Sequence, residues 1–274
     1  MATEETTSAG LEQDLKEMLE IERFDPPEHF RGQALIQDDS IYEEAEADPP
    51  AWWAKQADEL LDWAEPWDQV LDDSNAPFYK WFTGGKLNAS YNCLDRHVEA
   101  GRGDRVAYYW RGEEGEERDI TYADLHRDVQ QFANALKDQG IGAGDVVGIY
   151  LPMIPEVVVA MLACARIGAP HNVVFGGFSP QSVRERMEFS DAKALITADG
   201  AARKGKTSPM KAAVDEEMGD LETLETIFVV RHKDTECEMR EGRDVWYHEA
   251  LEAADAECPA EPLDAEHPLY ILYS

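Results

Sequence analysis

The chain has 274 residues, of which 57 are acidic and 25 are basic, so its formal charge is −32 at pH 7. That length allows one large domain or two modest ones, each with a sizeable buried core. The negative charge opposes binding to nucleic acid and to anionic membrane surfaces, so we expect neither as a partner.

The acidic residues are spread over the whole chain, as in EEGEERD and DEEMGDLETLE, and form no separate tail. Self-repulsion at this charge destabilises a compact state in dilute buffer, whereas molar salt shortens the Debye length to about 3 Å and removes most of the repulsion. The pattern therefore favours a protein adapted to high salt. An ordinary acidic protein is the alternative.

Signals for export and for metal binding are absent from the sequence. No run of about eighteen apolar residues occurs, and the start lacks the basic and then apolar order of a secretory signal, which predicts a cytoplasmic protein. The four cysteines include no CxxC pair, and the histidines lack metal-ligand spacing. We therefore predict reduced, structural cysteines and no metal site.

The first third of the chain divides into two segments of different composition. Residues 1–35 are polar and acidic, with one short helical pattern around Leu11 to Ile21, which predicts a mobile leader. Residues 36–98 are rich in aromatic side chains, among them Trp63 and Trp67. In an acidic background these rings favour an arm fastened onto a larger body over a platform that stacks bases.

Regular secondary-structure signals begin at about residue 105. RVAYYW is rich in residues that favour strands, and the acidic EEGEE that follows is typical of a turn. Thr121 followed by Asp124 has the form of a capping box, and apolar side chains then recur at helical spacing from Leu125 until Gly140. The segment predicts a strand, a turn and an amphipathic helix.

Strand and helix patterns then alternate along the chain. The strand patterns are DVVGIYLP, NVVF and AKALIT, with TIFVV and LYILY as later candidates. A helix from about Glu156 to Ile167 separates the first two strands, and Ser179 with Pro180 begins a helix before the third. Alternation with apolar strands predicts an α/β fold, in which right-handed crossovers join a mostly parallel sheet covered on both faces.

The loops after NVVF and AKALIT are the first candidates for a site, because ligands of such sheets bind outside the carboxyl ends of the strands. In the first loop, Gly176 and Gly177 follow Phe175 and permit close backbone approach or a positive φ. They precede a helix N-terminus that could attract an anion. Two glycines are equally compatible with ligand contact and with a simple tight turn.

The second loop has the largest local charge anomaly in the chain. Residues 202–211 contain four cations and no acid. An arginine suits bidentate phosphate binding, a lysine supplies a point charge, and a glycine lets the backbone approach a ligand. The candidate contacts are Arg203, Lys204, Gly205 and Lys206. The run predicts an anion site, and a solvated basic turn paired with acids such as Asp215 and Glu216 is the alternative.

Four long segments, in the correct order, resemble acetyl-CoA synthetases of the adenylate-forming superfamily. They are WFTGGKLNASYNCLDRH, GIYLPMIPEVVVAMLACARIGAPHNVVFGGFSP, ITADGAARKGK and DAEHPLYILYS. The resemblance covers about residue 40 to the end of the chain. It implies a large amino-terminal domain with layered, mostly parallel sheets, in which residues 36–98 form the amino-terminal arm and residues 99–274 the first part of the AMP-binding domain.

The resemblance also implies an activity and a set of contacts. It implies a ligase that joins acetate to CoA through an acetyl-adenylate, with ATP, CoA and acetate as substrates and Mg²⁺ accompanying the ATP. The family's CoA-contacting arginine falls on Arg203, and its second arginine falls on Lys206, which keeps the charge but loses the planar fork. The other CoA-side positions are Lys204, Gly205 and Gly177, with Phe175 and Gly176 in the adjacent turn.

The family continues from a strand like LYILY into a loop that holds the ATP phosphates, whereas this chain stops at Ser274, inside an apolar strand pattern. We therefore expect a fragment without catalytic residues, truncated before the phosphate loop, with the ATP and Mg²⁺ sites beyond Ser274. Two alternatives stay open. One is a sister ligase for propionate or another short acid, and the other is a non-catalytic CoA-binding module from a truncated gene.

Overall fold

The structure, a computed structural model, describes residues 25–203 and 205–273, with the backbone alone described at Arg203. The helical pattern expected around Leu11 to Ile21 lies outside these residues. The chain divides into two compact units, residues 1–53 and 54–274.

Between residues 147 and 198 the strands and helices alternate as the sequence patterns predict. The helices are α1 (Glu28–Arg31), α2 (Ser40–Ala47), α3 (Pro49–Leu60), α4 (Tyr122–Asp138), α5 (Pro155–Ile167), α6 (Pro180–Phe189), α7 (Met210–Met218) and α8 (Tyr247–Ala253). The strands are β1 (Gln69–Asp72), β2 (Lys80–Thr83), β3 (Lys86–Leu87), β4 (Val106–Arg111), β5 (Glu117–Thr121), β6 (Val147–Leu151), β7 (His171–Phe175), β8 (Ala194–Ala198), β9 (Gly200–Arg203), β10 (Lys206–Pro209), β11 (Thr226–Val230), β12 (Asp244–Trp246), β13 (Leu263–Asp264) and β14 (Tyr270–Ile271). Two π-helical turns, Tyr91–Asp95 and Val98–Arg102, lie between β3 and β4.

A six-stranded sheet forms the centre of the second unit. Its strand order is β12-β11-β8-β6-β7-β14, and every neighbouring pair is parallel. Every residue of β6, β8 and β11 is buried, as expected of parallel strands that are covered on both faces. The predicted α/β fold with a mostly parallel sheet is confirmed, and four short antiparallel pairs accompany the sheet.

Helix α4 forms where the capping pattern predicts it. The Thr121 side chain accepts a hydrogen bond from the backbone N–H of Asp124 at 3.1 Å, which satisfies one of the unpaired donors of the first turn. Apolar side chains at helical spacing, from Leu125 to Leu136, are buried in the core. A cap removes the cost of the free N–H group, and the buried face provides most of the stability.

The next two helices also begin at their predicted residues. Pro155 occupies the first turn of α5, where its missing N–H costs nothing, and Gly168 ends that helix in the left-handed conformation at φ 73°. The Ser179 side chain caps α6 by accepting from the N–H of Ser182 at 3.2 Å, and Pro180 follows it. These local signals fix where the crossover helices start relative to the strands.

Aromatic rings between residues 63 and 82 pack on one another in the second unit. Trp63, Trp67 and Phe82 have ring centroids 4.8 to 5.5 Å apart in tilted and edge-on arrangements. The Asn88 amide donates to the backbone carbonyls of Ala165, Arg166 and Glu261 at 2.9 to 3.1 Å. The segment that contains Asn88 is therefore joined to α5 and to the segment before β13.

A buried ion pair connects the first π-helical turn with α5. The two terminal nitrogens of Arg166 each lie 2.8 Å from a carboxylate oxygen of Asp95, and His126 lies 3.1 Å from the same carboxylate. Burial opposes ionisation of Asp95, but the hydrogen bonds from Arg166 and His126 hold its pKa well below the usual range. The pair is structural, because the guanidinium also donates to the backbone carbonyl of Cys258.

Candidate functional site

The two predicted loops lie at the same edge of the central sheet. Strands β7 and β8 flank β6 and run parallel to it, so their carboxyl ends share one edge. Residues 176–179 follow β7, and a hairpin made of β9 and β10 follows β8. This edge is where ligands of parallel sheets usually bind.

Close packing, rather than a positive φ, requires glycine at position 176. A Cβ added to Gly176 would lie 2.6 Å from the carbonyl oxygen of Leu151, which real Cβ atoms essentially never do. Gly177 is exposed, and Ser179 then caps α6. The backbone of the loop after β7 thus approaches the end of β6 closely and leaves Gly177 facing solvent.

The basic loop after β8 forms a hairpin, whereas the sequence patterns predicted only a loop there. Arg203 pairs with Lys206 across the turn, and Gly205 adopts φ 71°, a conformation that glycine tolerates best. Residues Lys206–Pro209 are all exposed. Lys204 and the Arg203 side chain lie outside the described residues, so only Gly205 and Lys206 of the four predicted contacts have a described environment.

The described residues include no carboxylate within ion-pair distance of Lys206. The alternative hypothesis was a basic turn paired with Asp215 and Glu216. In the structure, Asp215 pairs with Lys211 and Arg243 instead of Lys206. Lys206 remains able to meet an anionic ligand.

Lys211 does not belong to the anion site, although the charge count placed it in the same basic run. Its side chain is 0% exposed, and its ammonium lies 2.6 Å from Asp215 and 2.7 Å from Asp244. It also donates to the carbonyl of Glu238 at 3.1 Å. Three acceptors thus neutralise and hydrogen-bond this cation inside the fold, as a buried charge requires.

Arg243 completes the network around Lys211. Its guanidinium lies 2.6 Å from Asp244 and 2.5 Å from Asp215. Burial opposes ionisation of Asp244, but the hydrogen bonds from Arg243 and Lys211 outweigh it and lower the pKa of this carboxyl. The network fixes the beginning of α7 against β12. Helix α7 directly follows the hairpin that carries Lys206.

Asp199 organises the loops at this edge and was not predicted from the sequence. Its carboxylate, 1% exposed, accepts hydrogen bonds from the backbone N–H groups of Gly200, His232, Lys233 and Thr235 at 2.7 to 3.1 Å. It therefore joins the start of the hairpin to the loop after β11. The available sequence signal was an aspartate followed by glycine directly after a buried strand, which is typical of a turn.

Phe175 ends β7 and is followed by Gly176 and Gly177 in the loop, whereas Gly205 and Lys206 lie at the turn of the neighbouring hairpin. A ligand at this edge would meet exposed backbone from the first group and positive charge from the second.

The part of the chain that the structure describes contains no group of three or more His, Cys, Asp and Glu side chains suited to a metal ion. All four cysteines are free thiols, and burial raises the pKa of Cys164 to about 12, which makes it an inert core residue.

No described helix is both long and apolar enough to span a membrane.

Two protein families match consecutive parts of the chain. Residues 94–274 match the family described as AMP-binding enzyme, and residues 39–93 match the family described as acetyl-coenzyme A synthetase N-terminus. The chain is 51% identical over 260 residues to the acetyl-coenzyme A synthetase of Rubrobacter xylanophilus. The aligned region covers 94% of this chain and 40% of that protein.

Further relatives agree in sequence and in fold. The acetyl-coenzyme A synthetase of Mycobacterium tuberculosis H37Rv is 52% identical over 254 residues, covering 92% of this chain and 39% of that protein. The solved acetoacetyl-CoA synthetase from Streptomyces lividans superposes with a TM-score of 0.79 at 28% identity and covers 91% of this chain and 41% of that one. The chain thus spans about two fifths of the length of these relatives.

Proposed function

The chain belongs to the AMP-binding enzyme family, and we propose that it is the amino-terminal part of an AMP-forming acetate:CoA ligase. The observation that carries the proposal is identity of about half of all positions to acetyl-coenzyme A synthetases over 92% to 94% of the chain. The cationic hairpin at the ligand-binding edge of the sheet supports it, because both nucleotide substrates of such a ligase are anions.

The proposed reaction has two steps. The acetate carboxylate attacks the α-phosphate of ATP, forming acetyl-adenylate and releasing pyrophosphate. The CoA thiol, having lost its proton, then attacks the acyl carbon and displaces AMP, which leaves acetyl-CoA. We expect Mg²⁺ to accompany ATP as a charge partner for its phosphates.

We assign the CoA side of the site to this chain. Lys206, exposed and without a carboxylate partner among the described residues, supplies a charge for a CoA phosphate, and Gly205 lets the hairpin turn present it. The exposed backbone at Gly177 adds a surface against which the ligand can lie. Arg203, Lys204, Phe175 and Gly176 complete the proposed CoA contacts.

We assign no catalytic residue to residues 1–274. The contacts to ATP, Mg²⁺ and acetate are proposed to lie in sequence beyond residue 274, consistent with relatives that are about two and a half times as long. Residues 1–35 are proposed as a leader, 36–98 as an aromatic arm and 99–274 as the first part of the AMP-binding domain.

A different acyl substrate is the second candidate. The superposed structure from Streptomyces lividans is named for acetoacetate, so this fold accommodates acids other than acetate. Propionate is the smallest change, since one methylene changes binding in a pocket by only about 1–3 kcal/mol. A CoA-binding module without ligase activity is the remaining possibility.

The setting proposed for the protein follows from its charge. With a formal charge of −32, the protein is proposed to act in a salt-rich cytoplasm on small anions, without nucleic acid or membrane as a partner. The four cysteines, all free thiols, are compatible with a reducing compartment.

Ligase activity, measured with the full-length product of the gene, tests the proposal. Purified protein in molar salt is given ATP, Mg²⁺, CoA and one acid at a time: acetate, propionate or acetoacetate. We expect pyrophosphate release with acetate alone and AMP with acetyl-CoA once CoA is added. Preference for another acid would move the assignment to that acid. CoA binding without pyrophosphate release would identify a binding module instead.

A further inference from the structure

The Arg186 guanidinium is held between two aromatic rings at the ligand-binding edge of the sheet. Its central carbon lies 4.9 Å from the ring centroid of Phe178 and 4.9 Å from that of Tyr273. Phe178 lies in the loop after β7, and Tyr273 follows β14, the strand that pairs with β7. One side chain of α6 thus joins the carboxyl ends of two neighbouring strands.

Further hydrogen bonds fix this arrangement, which we name the Arg186 clamp and define as Phe178, Arg186 and Tyr273. The guanidinium donates to the carbonyl of Ser182 at 2.7 Å. The Tyr273 hydroxyl donates to the backbone carbonyl of Arg186 at 3.3 Å, and the Asn172 amide donates to that hydroxyl at 3.4 Å. The Tyr273 ring is therefore held through both its face and its hydroxyl.

The charge of Arg186 is directed at the rings. No carboxylate forms an ion pair with Arg186 among residues 25–203 and 205–273. Its half-buried guanidinium interacts instead with the negative faces of Phe178 and Tyr273, an attraction that grows as water is excluded. A planar guanidinium can stack on two rings at once, which an ammonium cannot do as well.

The clamp fixes one end of the loop that contains Gly177. The Tyr150 hydroxyl donates to the carbonyl of Phe178 at 2.9 Å, and the Phe178 ring packs edge-on against Phe175 at 5.9 Å. The backbone N–H of Phe178 also donates to the carbonyl of Phe175 at 2.9 Å, and Arg186 adds a restraint on the Phe178 ring, one residue after Gly177. The exposed backbone at Gly177 therefore lies directly before a residue whose ring is restrained by the Arg186 guanidinium.

We propose that Arg186 is a positioning residue for CoA: by stacking between Phe178 and Tyr273, it holds the loop at residues 176–179 in the conformation that CoA contacts. The inference rests on the proposed function, in which Gly177 lies against CoA. Arg186 itself does not touch the reacting atoms. Because the clamp acts on the loop, its loss weakens CoA binding and leaves the chemistry of adenylation unchanged.

The test compares Arg186→Gln with Arg184→Gln in the full-length protein. Arg184 lies on the same helix, but it pairs with Glu188 and Asp220 on the surface, so its substitution is a matched control for charge and helix. We expect Arg186→Gln to raise the KM for CoA about tenfold. We expect acetate-dependent pyrophosphate release without CoA to stay within about twofold of the unmodified protein, and Arg184→Gln to leave both quantities unchanged.

Three further variants separate stacking from charge. Arg186→Lys keeps the charge but loses the planar group, so it is expected to recover only part of the CoA affinity. Tyr273→Phe keeps the ring, so its KM for CoA is expected to stay closer to that of the unmodified protein than the KM of Tyr273→Leu. Melting temperatures measured alongside identify a merely structural role, which would lower them while the KM for CoA stays constant.

The outcomes distinguish failure of the proposed function from failure of the role proposed for the clamp. Unmodified protein that releases no pyrophosphate with any acid would overturn the proposed function and, with it, the role of the clamp. Active unmodified protein in which Arg186→Gln and Arg184→Gln share one KM for CoA would overturn the role of the clamp alone. A KM for CoA that rises only in the clamp variants supports both.

Discussion

Lys206 and Lys211 belong to one basic run in the sequence but to two different electrostatic environments in the fold. Lys206 is exposed on a hairpin, whereas Lys211 is fully buried between Asp215 and Asp244 at 2.6 and 2.7 Å. The partners of Lys211 lie 4 and 33 positions further along the chain, so the pairing with Asp244 exists only after folding. A local excess of cations therefore overestimates the charge that is available to a ligand.

The difference separates structural charge from functional charge. A buried cation must be compensated, because an unpaired charge in the interior costs several kcal/mol. An exposed cation is solvated by water and can exchange that water for a phosphate. Variants at these positions should therefore affect different quantities, stability at Lys211 and ligand affinity at Lys206.

The largest effect is expected from Lys211→Met. Methionine has a similar length but leaves Asp215 and Asp244 with one cation, Arg243, between them, so the free energy of unfolding should fall by about 3–5 kcal/mol. Urea unfolding followed by circular dichroism measures the loss. Lys206→Met is the matched control, for which a change within about 0.5 kcal/mol is expected.

A double substitution sharpens this prediction. Lys211→Met combined with Asp244→Asn removes both a cation and one of the anions that it leaves behind, so it should recover part of the lost stability. Equal losses in Lys211→Met and Lys206→Met would contradict the distinction between the two lysines.

A buried group without a partner gives the next largest effect. His171, 4% exposed, begins β7, and its Nδ1 has no hydrogen-bond partner among the described residues. Burial lowers its pKa to about 4 from an ordinary value of 6.5. It stays neutral in the fold, in contrast to Lys211, which is charged and fully paired.

The pH dependence of stability follows from that pKa. Because the folded pKa is below the unfolded one, the unfolded chain takes up a proton first as pH falls from 6.5 to 4, and stability decreases over this interval by up to about 3 kcal/mol. Urea unfolding at several pH values measures the slope. His171→Asn should flatten it, and an unchanged slope in that variant would assign the acid sensitivity to other groups.

The local parts of the fold could be predicted from the sequence, because their causes are local. Thr121 caps α4 through an N–H three residues away, and Gly168 ends α5 because it adopts a positive φ. The buried strands β6, β8 and β11 follow from continuous apolar runs. Such features depend on spacing and composition within about ten residues.

The parts that could not be predicted depend on contacts between distant residues. Asp199 bonds to N–H groups more than thirty positions away, and Lys211 is neutralised by Asp244. β12 has only three residues and too little pattern to be recognised, and LYILY forms a strand over two residues alone. The CoA assignment of Lys206 and Gly177 came from the family resemblance, since an exposed cation and a turn fit many anions.

Substitution of Lys206 is expected to change the free energy of CoA binding. This change should be smaller than the changes in stability expected for Lys211 and His171. Lys206→Gln removes one exposed charge from the proposed CoA site and should weaken CoA binding about fivefold, measured as KM in the full-length protein. Lys206→Arg, which restores a planar fork, should bind at least as tightly as lysine. Lys193→Gln, directly before β8 and at the opposite edge of the sheet, is the control and should leave the KM for CoA unchanged.

The smallest effect is expected from a change in salt concentration. The response of the melting temperature to salt again distinguishes surface charge from buried charge. Screening acts on the exposed acids that give the chain its charge of −32, so the melting temperature should rise by a few degrees between dilute buffer and molar KCl. Buried pairs are screened much less, so the difference in melting temperature between Lys211→Met and the unmodified protein should stay nearly constant across the same range. Thermal unfolding of both proteins at each salt concentration measures the two quantities together. A melting temperature that does not change with salt would count against salt adaptation, whereas a difference that shrinks with salt would mean that water reaches the Lys211 network.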